Sequence, residues 1–205
     1  MIAIIDYGMG NLGSVFNAFQ ALGVPAEIVN TPAKLSEATG VVLPGVGAFG
    51  DGMRNLRQGG FVEVLDEEVR RKGKPFLGLC LGLQLLATTG LEHGENAGLG
   101  WIPGVVRRLT PEHAELRVPH IGWNDVRAVK AGGLYVGLGE VHSYYFVHSF
   151  ALQPDDLSVV SGFVDYGGEW VASVESDNIS ATQFHPEKSH KSGLTLLKNW
   201  AAHAC

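Results

Sequence analysis

Two kinds of hydrophobic pattern alternate along the first hundred residues. Short runs typical of buried strands lie at residues 2–6, 27–30, 40–43 and 75–79. Between them, apolar residues recur every three or four positions at 12–22 and 61–69, and the second of these stripes ends in basic residues, as helix C-termini prefer. Strands that alternate with helices predict a parallel sheet with helices on both faces.

After about residue 100 the pattern changes to short β segments with turns between them. We predict strands at residues 104–109, 133–137, 144–150, 158–164, 169–174 and 179–184, a hairpin turn at 165–168 and a closing helix at 193–202. The helix pattern behind residue 80 is predicted to stop at Gly90. No linker or repeat divides residues 1–205, so we expect a single α/β domain with an open, mostly parallel sheet and an antiparallel β extension in the second half.

Composition narrows the function classes. The chain has 205 residues, of which 45% are hydrophobic and 18% charged, enough for one ordinary core. A net charge of -6 argues against a nucleic-acid partner. No apolar stretch reaches the roughly 18 residues of a membrane span. The two cysteines, Cys80 and Cys205, cannot form a disulfide framework, and no signal peptide follows Met1, so a reducing cytoplasm is the expected compartment. Cys205, at the terminus, is expected to be incidental.

Cys80 has the most informative local setting. It ends the strand pattern 75–79 and begins a helix pattern, with Gly78 and Gly82 two positions to either side. A residue held in a sharp strand-to-helix turn, facing the free N–H groups of a helix, is typical of an activated nucleophile. The alternative is a buried cysteine in a core strand, as most free cysteines are, and the local run alone does not decide between them.

Among eight histidines, His185 is the best candidate base. It follows the predicted strand 179–184 directly, and Pro186 restricts its backbone to an extended conformation. Glu187 could hold the imidazole tautomer and stabilise the imidazolium, so that a cysteine, a histidine and a glutamate form a nucleophile, a base and an orienter. This requires that residues 80 and 185 both follow parallel strands. Otherwise His185 and Glu187 are surface residues of a turn.

Two glycine-rich loops, 8–13 and 45–50, match the pattern Gly-x-Gly-x-x-Gly. A dinucleotide site also needs an acidic residue at the end of the second strand, where this chain has Asn30. The second loop could instead supply backbone N–H groups to an oxyanion, from Val46 or Gly47, together with the N–H of Leu81. A tight strand-to-helix turn is the alternative.

Other residues carry weaker signals. Gln84 lies one helical turn after Cys80 and could read a polar substrate, or it could lie on an exposed helix face. The predicted turn 119–124, which contains several ring side chains, either covers the edge of the core or contributes to a contact surface. His142 and His148 share one face of a strand, but no carboxylate or cysteine spacing supports a metal site. We therefore expect neither a metal nor a cofactor.

Taken together, these motifs resemble a known family. The runs 78–84 and 184–187 are similar to those of class I, triad-type glutamine amidotransferases. The runs 6–12, 44–53, 119–124 and 185–189 resemble one subfamily, the glutaminase subunits of imidazole glycerol phosphate synthase in histidine biosynthesis. The resemblance extends from residue 1 to at least residue 197 and implies a flavodoxin-like α/β fold.

The resemblance implies a reaction and its residues. Cys80 would attack the side-chain amide of L-glutamine, His185 would protonate the departing ammonia and activate water against the thioester, and Glu187 would orient His185. The implied substrate-binding residues are Gly45 and Gln84, with Ser143 and Tyr144 as weaker candidates.

Ammonia release alone would waste glutamine, and 205 residues leave no room for a synthase domain. The resemblance therefore implies a β/α-barrel cyclase subunit as partner in a heterodimer. Candidate contacts are Asn11, Pro119, Trp123 and Lys188. Two other classes stay open, namely a cysteine hydrolase of another kind, such as a peptidase, and a non-enzymatic nucleotide-binding module.

Overall fold

The computed structural model of the protein describes residues 1–130 and 132–204, so Cys205 lies outside the described residues. The strands are β1 (Ile2–Ile5), β2 (Ala26–Val29), β3 (Gly40–Gly45), β4 (Phe76–Cys80), β5 (Ala87–Gly90), β6 (Asn96–Ala97), β7 (Ile102–Arg108), β8 (His120–Ala128), β9 (Val141–His148), β10 (Phe150–Pro154), β11 (Val160–Asp165), β12 (Glu169–Ser176) and β13 (Ile179–Thr182). The α-helices are α1 (Leu12–Ala21), α2 (Phe49–Gln58), α3 (Phe61–Leu65), α4 (Leu81–Gln84) and α5 (His190–Ala204). Helix α3 continues as a π-helical turn, Asp66–Arg71.

The main sheet has nine strands in the order β2-β1-β3-β4-β13-β12-β11-β8-β9. The first five pair in parallel, and the remaining four pair antiparallel. Every residue of β1, β3 and β4 is buried, as expected for parallel strands covered on both faces. The predicted fold class, a mostly parallel α/β sheet with an antiparallel extension, is confirmed.

Helices cover both faces of this sheet. On one face, Phe19 of α1 and Trp200 of α5 lie in the same buried cluster, with their ring centroids 6.0 Å apart. On the other face, Met53 of α2 and Leu65 of α3 join a second cluster. That second cluster also contains residues of a separate four-stranded sheet, ordered β10-β7-β5-β6, which the sequence analysis did not predict. None of the helices formed by the described residues is long and apolar enough to cross a membrane.

The predicted helix from Cys80 to Gly90 is wrong. Helix α4 ends at Gln84, and the chain then forms β5. The backbone carbonyls that a longer helix would use are taken by a later segment: Leu99 N–H donates to Leu85, Gly100 N–H to Ala87, and Gly98 N–H to Thr88. Because these acceptors are occupied by long-range partners, the helix cannot continue.

Two other local predictions differ from the structure, and one helix was not predicted. Residues 133–137 contain a 3₁₀ turn, Gly133–Tyr135, because Gly133 has a φ of 60° and the Glu175 carboxylate accepts the N–H of Leu134. Most of the predicted turn 119–124 belongs to β8, which pairs along its length with β9. Helix α2 was not predicted, although apolar residues at 49, 53 and 56 fall on one helical face. The hairpin turn at 165–168 is confirmed, since β11 and β12 pair antiparallel on either side of it.

Candidate active site

Three neighbouring parallel strands end at one edge of the main sheet. Gly45, the last residue of β3, is the register partner of Cys80, the last residue of β4. On the other side of β4, Thr182 of β13 is the partner of Leu79. The loop 45–47, the thiol and the segment 183–187 therefore lie side by side. Cys80 and His185 are separated by about a hundred residues in the sequence, and they can act together only if their strands are neighbours in this way.

Cys80 occupies a sharp turn with a left-handed backbone, at φ 53° and ψ -102°. The turn is close-packed: a Cβ at Gly82 would lie 1.9 Å from the carbonyl oxygen of Leu43, and one at Gly78 would lie 2.7 Å from the carbonyl oxygen of Gly82. Both flanking positions therefore require glycine. The Cys80 side chain is a free thiol and is almost fully buried.

The side chain of His185 lies between Cys80 and a buried carboxylate. Its Nδ1–H donates to Oε1 of Glu187 over 2.8 Å, and the two side chains are 3% and 2% exposed. This bond fixes the tautomer and leaves Nε2 as the basic nitrogen. Nε2 is buried and makes no hydrogen bond of normal length to the described residues. The single turn that joins the two residues is closed by Ser189, whose hydroxyl donates to the carbonyl of His185.

The electrostatics of His185 favour its charged form. Burial alone lowers the pKa of the imidazole, but the neighbouring Cys80 sulfur and the Glu187 carboxylate outweigh it and raise the pKa above the ordinary value of 6.5. His185 can therefore hold a proton taken from the thiol. A cysteine and a histidine in this relation can carry out nucleophilic acyl transfer.

The loop 45–47 packs directly on the start of α4. A Cβ at Gly45 would lie 2.4 Å from the hydroxyl oxygen of Tyr7 and 2.8 Å from Cβ of Leu81, so only glycine allows this approach. The backbone N–H of Leu81, at the first position of α4, has no helical acceptor. Val46 and Gly47 face the same pocket as Leu81.

The pocket beside Cys80 has a volume of about 420 Å³, within the range of small-molecule sites. Among the predicted residues, it is lined by Val46, Gly47, Cys80, Leu81, Gln84 and Pro119. Its remaining lining residues are Ala48, Glu92, Val147, His148, Ser149 and Phe150.

The structure places Ser143 and Tyr144 away from this pocket. The Ser143 hydroxyl donates to the Asp125 carboxylate on the exposed side of β9. Tyr144 is fully buried, and its ring stacks on Phe184 at 4.0 Å between centroids. Near the end of β9, the carbonyl of Val147 lies 3.9 Å from Sγ of Cys80.

Comparison with known proteins places this arrangement in a family. The family described as glutamine amidotransferase class-I matches residues 3–204 of the chain. The chain belongs to this family. Two solved structures share the fold of this amidotransferase: one described as a glutamine amidotransferase (TM-score 0.76, 20% identity, 100% of this chain and 99% of that chain), and PurLQS from Thermotoga maritima (TM-score 0.76, 18% identity, 98% and 97%).

More similar relatives of this amidotransferase are named imidazole glycerol phosphate synthase subunit HisH. The relative from Moorella thermoacetica is 49% identical over 199 residues, which cover 97% of this chain and 93% of the relative. The relative from Geobacter sulfurreducens is 50% identical over 204 residues, which cover 97% of each chain.

Sequence reasoning missed the pocket wall formed by Val147, His148, Ser149 and Phe150, and it missed Glu92. The carboxylate of Glu92 accepts the N–H of Phe49 over 2.8 Å at the start of α2 and lines the pocket. The end of a predicted strand that carries polar residues was a usable signal for the wall, since ligands of α/β proteins bind near strand ends. Glu92 lies in a turn and gave no such signal.

A chain of hydrogen bonds runs from the pocket wall through His148 and His120 and fixes which ring nitrogen of each histidine carries the proton. The carbonyl of Phe150 can only accept, so His148 donates to it from Nδ1 at 2.9 Å. Nε2 of His148 then accepts from Nδ1–H of His120 at 3.2 Å, and Nε2 of His120 accepts from the Asn124 amide at 3.4 Å. Burial lowers the pKa of both histidines to about 4. Both imidazoles are therefore neutral near pH 7.

The predicted partner contacts do not all lie together. Trp123 is 48% exposed, and its ring stacks on His190 at 4.9 Å between centroids. Tyr145 joins Trp123 to Lys188: its ring lies 6.1 Å from the Trp123 ring and 5.9 Å from the Lys188 ammonium. Asn11 caps α1 by accepting the N–H of Ser14. Pro119, in contrast, lines the pocket beside Cys80.

Proposed function

We propose that this amidotransferase hydrolyses L-glutamine to glutamate and ammonia at Cys80 and that it delivers the ammonia to a cyclase subunit of imidazole glycerol phosphate synthase. The observation that carries the proposal is the order of three buried groups at one sheet edge. The Glu187 carboxylate lies 2.8 Å from Nδ1 of His185, and Nε2 of His185 is left for Cys80.

The reaction begins with proton transfer from the Cys80 thiol to Nε2 of His185. The sulfur attacks the side-chain amide carbon of glutamine, and the N–H of Leu81 with that of Val46 or Gly47 stabilises the oxyanion. His185 then gives its proton to the leaving nitrogen, ammonia departs, and a thioester remains on Cys80. His185 next removes a proton from water, which hydrolyses the thioester to glutamate.

The pocket lining suits the two ends of glutamine, the charged α-amino acid end and the neutral side-chain amide. The Glu92 carboxylate is complementary to the α-ammonium group of glutamine. Gln84 would lie beside the side-chain amide, and Ser149 lines the same pocket. Gly45, the register partner of Cys80, is not one of the lining residues and would act through the position of the loop 45–47. Ser143 and Tyr144 would influence substrate only indirectly, since neither lines the pocket.

The names of the relatives support the choice of partner, because each is called a subunit of imidazole glycerol phosphate synthase. The partner would be the β/α-barrel cyclase, which uses ammonia to form imidazole glycerol phosphate and an aminoimidazole carboxamide ribonucleotide. We place its contact surface around Trp123 and Lys188, and Asn11 and Pro119 are further candidates for contact. A reducing compartment such as the cytoplasm would preserve the Cys80 thiol.

An electrophilic glutamine analogue tests the reaction. It should label Cys80, as read by mass spectrometry of the modified peptide, and Cys80→Ala should abolish glutamate release. Cys205→Ala is the matched control and should leave both readouts unchanged. Labelling of Cys205 alone would refute the proposal, and release of peptide fragments without any response to glutamine would favour a peptidase instead.

The partner is tested by measuring glutamate release with and without purified cyclase and its nucleotide ligand. The rate should rise only when both are present, and Lys188→Ala should reduce that rise without changing the thermal unfolding temperature. An isolated chain with full activity would contradict a role as a partner-dependent subunit.

A further inference from the structure

Beneath the Cys80 sulfur lies a pair of buried amides, Gln183 and Gln84, whose link to the sulfur the mechanism above does not use. Gln183 directly follows β13 and is 0% exposed, and Gln84 is 5% exposed. Nε2 of Gln84 donates to Oε1 of Gln183 at 3.2 Å, and Nε2 of Gln183 lies 3.7 Å from Sγ of Cys80. Gln183 is therefore in direct contact with the reacting atom.

The orientation of both amides is fixed by a backbone carbonyl. Phe150 O can only accept, so the Gln84 atom that lies 2.8 Å from it must be the NH₂ nitrogen. The second hydrogen of that NH₂ group points to Gln183, so the facing Gln183 atom must be its oxygen. The other end of Gln183, which faces the sulfur, is then necessarily an N–H donor. A flipped Gln183 would place two donors against each other.

The sulfur has a different partner in each protonation state. As a thiol it can donate weakly to the carbonyl of Val147, which lies 3.9 Å away. As a thiolate it is repelled by that oxygen and accepts from Gln183. A donor that is buried and already oriented favours the charged form of the sulfur, because hydrogen bonds to ionised groups are the strong ones.

We propose that Gln183 is a catalytic residue whose Nε2–H stabilises the Cys80 thiolate each time it forms. This rests on the proposed role of Cys80 as nucleophile. In acylation the C–S bond forms, the C–N bond breaks, and the nitrogen leaves with the proton that His185 carries. In deacylation water adds to the thioester carbon and the C–S bond breaks. The electron pair of that bond returns to the sulfur, and the Gln183 N–H donates a hydrogen bond to the thiolate that forms.

The test uses iodoacetamide, a small alkylating probe, in a Cys205→Ser background so that only Cys80 reacts. In Gln183→Met, which keeps the length of the side chain and removes the donor, the alkylation rate at a pH below the midpoint of the parent's rate profile should fall roughly tenfold. The midpoint of the rate against pH should rise by about one pH unit, and the rate at high pH should match that of the parent. Gln20→Met, at an exposed position of α1, is the matched control and should change nothing.

Gln183→Leu is the second variant, in case Gln183→Met does not fold. It also removes the donor and introduces no buried charge, so the midpoint should rise about as far. In folded variants kcat for glutamine should fall roughly tenfold with little change in KM, because Gln183 does not line the pocket.

The outcomes separate the two proposals. A raised midpoint with an unchanged high-pH rate supports the role of Gln183. An unchanged midpoint in both variants, with Cys80→Ala inactive, overturns that role and leaves the nucleophile intact. Glutamate release by Cys80→Ala would overturn the nucleophile itself, and the role of Gln183 with it.

Discussion

The backbone of Cys80 should store strain that a glycine would release. At φ 53° and ψ -102°, a residue with a Cβ is disfavoured by about 1–3 kcal/mol. Glycine avoids that cost but loses roughly 0.5–1 kcal/mol more conformational entropy on folding than alanine. Cys80→Gly should therefore have a free energy of unfolding about 1 kcal/mol higher than Cys80→Ala. Neither variant has the sulfur, so its interactions with His185 and Gln183 cancel in this comparison.

Urea unfolding of the two variants at one pH measures the difference. Gly13 in α1 is the control, because an added Cβ would meet no atom within 4 Å and its φ is not positive. There alanine should be more stable than glycine by roughly 0.5–1 kcal/mol. The preference for alanine or glycine should thus reverse between residues 13 and 80. If Cys80→Ala is as stable as Cys80→Gly, the turn is not strained and the reasoning fails.

Two further predictions concern the same edge of the sheet. Gly82→Ala should lower the free energy of unfolding by about 3 kcal/mol, because its Cβ would lie 1.9 Å from a carbonyl oxygen of β3; an unchanged urea midpoint would contradict it. Glu187→Gln should destabilise the protein most at low pH. Because folding raises the pKa of His185 above its ordinary value of 6.5, the proton on His185 stabilises the fold. This stabilisation is fully present below pH 6.5 and is lost as the pH rises through the pKa of His185 in the folded state. Urea titrations at about pH 6 and about pH 9.5 test this, and a stability difference that does not change with pH would refute it.

The parallel half of the main sheet could be predicted because its strands are continuous apolar runs. β1, β3 and β4 are buried on both faces, and continuous apolar runs of this length are typical of parallel strands. Local patterns failed where distant segments competed for the backbone. The residues after Gln84 look helical, but their carbonyls bind N–H groups of residues 98–102, and no local pattern reveals those partners.

Some residues of the candidate site could likewise be predicted from the sequence, and others could not. Cys80, His185 and Glu187 could be predicted because Cys80 ends one strand and the other two follow another strand within a short motif. Gln183 and Phe150 act through contacts with residues about 66 to 103 positions away. Their roles depend on which strands are neighbours, so only the three-dimensional arrangement reveals them.

The pocket beside Cys80 lies at the junction between the two sheets. β9 of the main sheet ends at His148, β10 of the smaller sheet begins at Phe150, and Ser149 is the single residue between them. Glu92, which follows β5, also comes from the smaller sheet. The backbones of Cys80 and His185 lie at the edge of the main sheet. Local opening of the smaller sheet would leave that edge in place but would move Glu92 and Phe150. Because the carbonyl of Phe150 holds Gln84, and through it Gln183, substrate binding and the proposed stabilisation of the thiolate would be lost together.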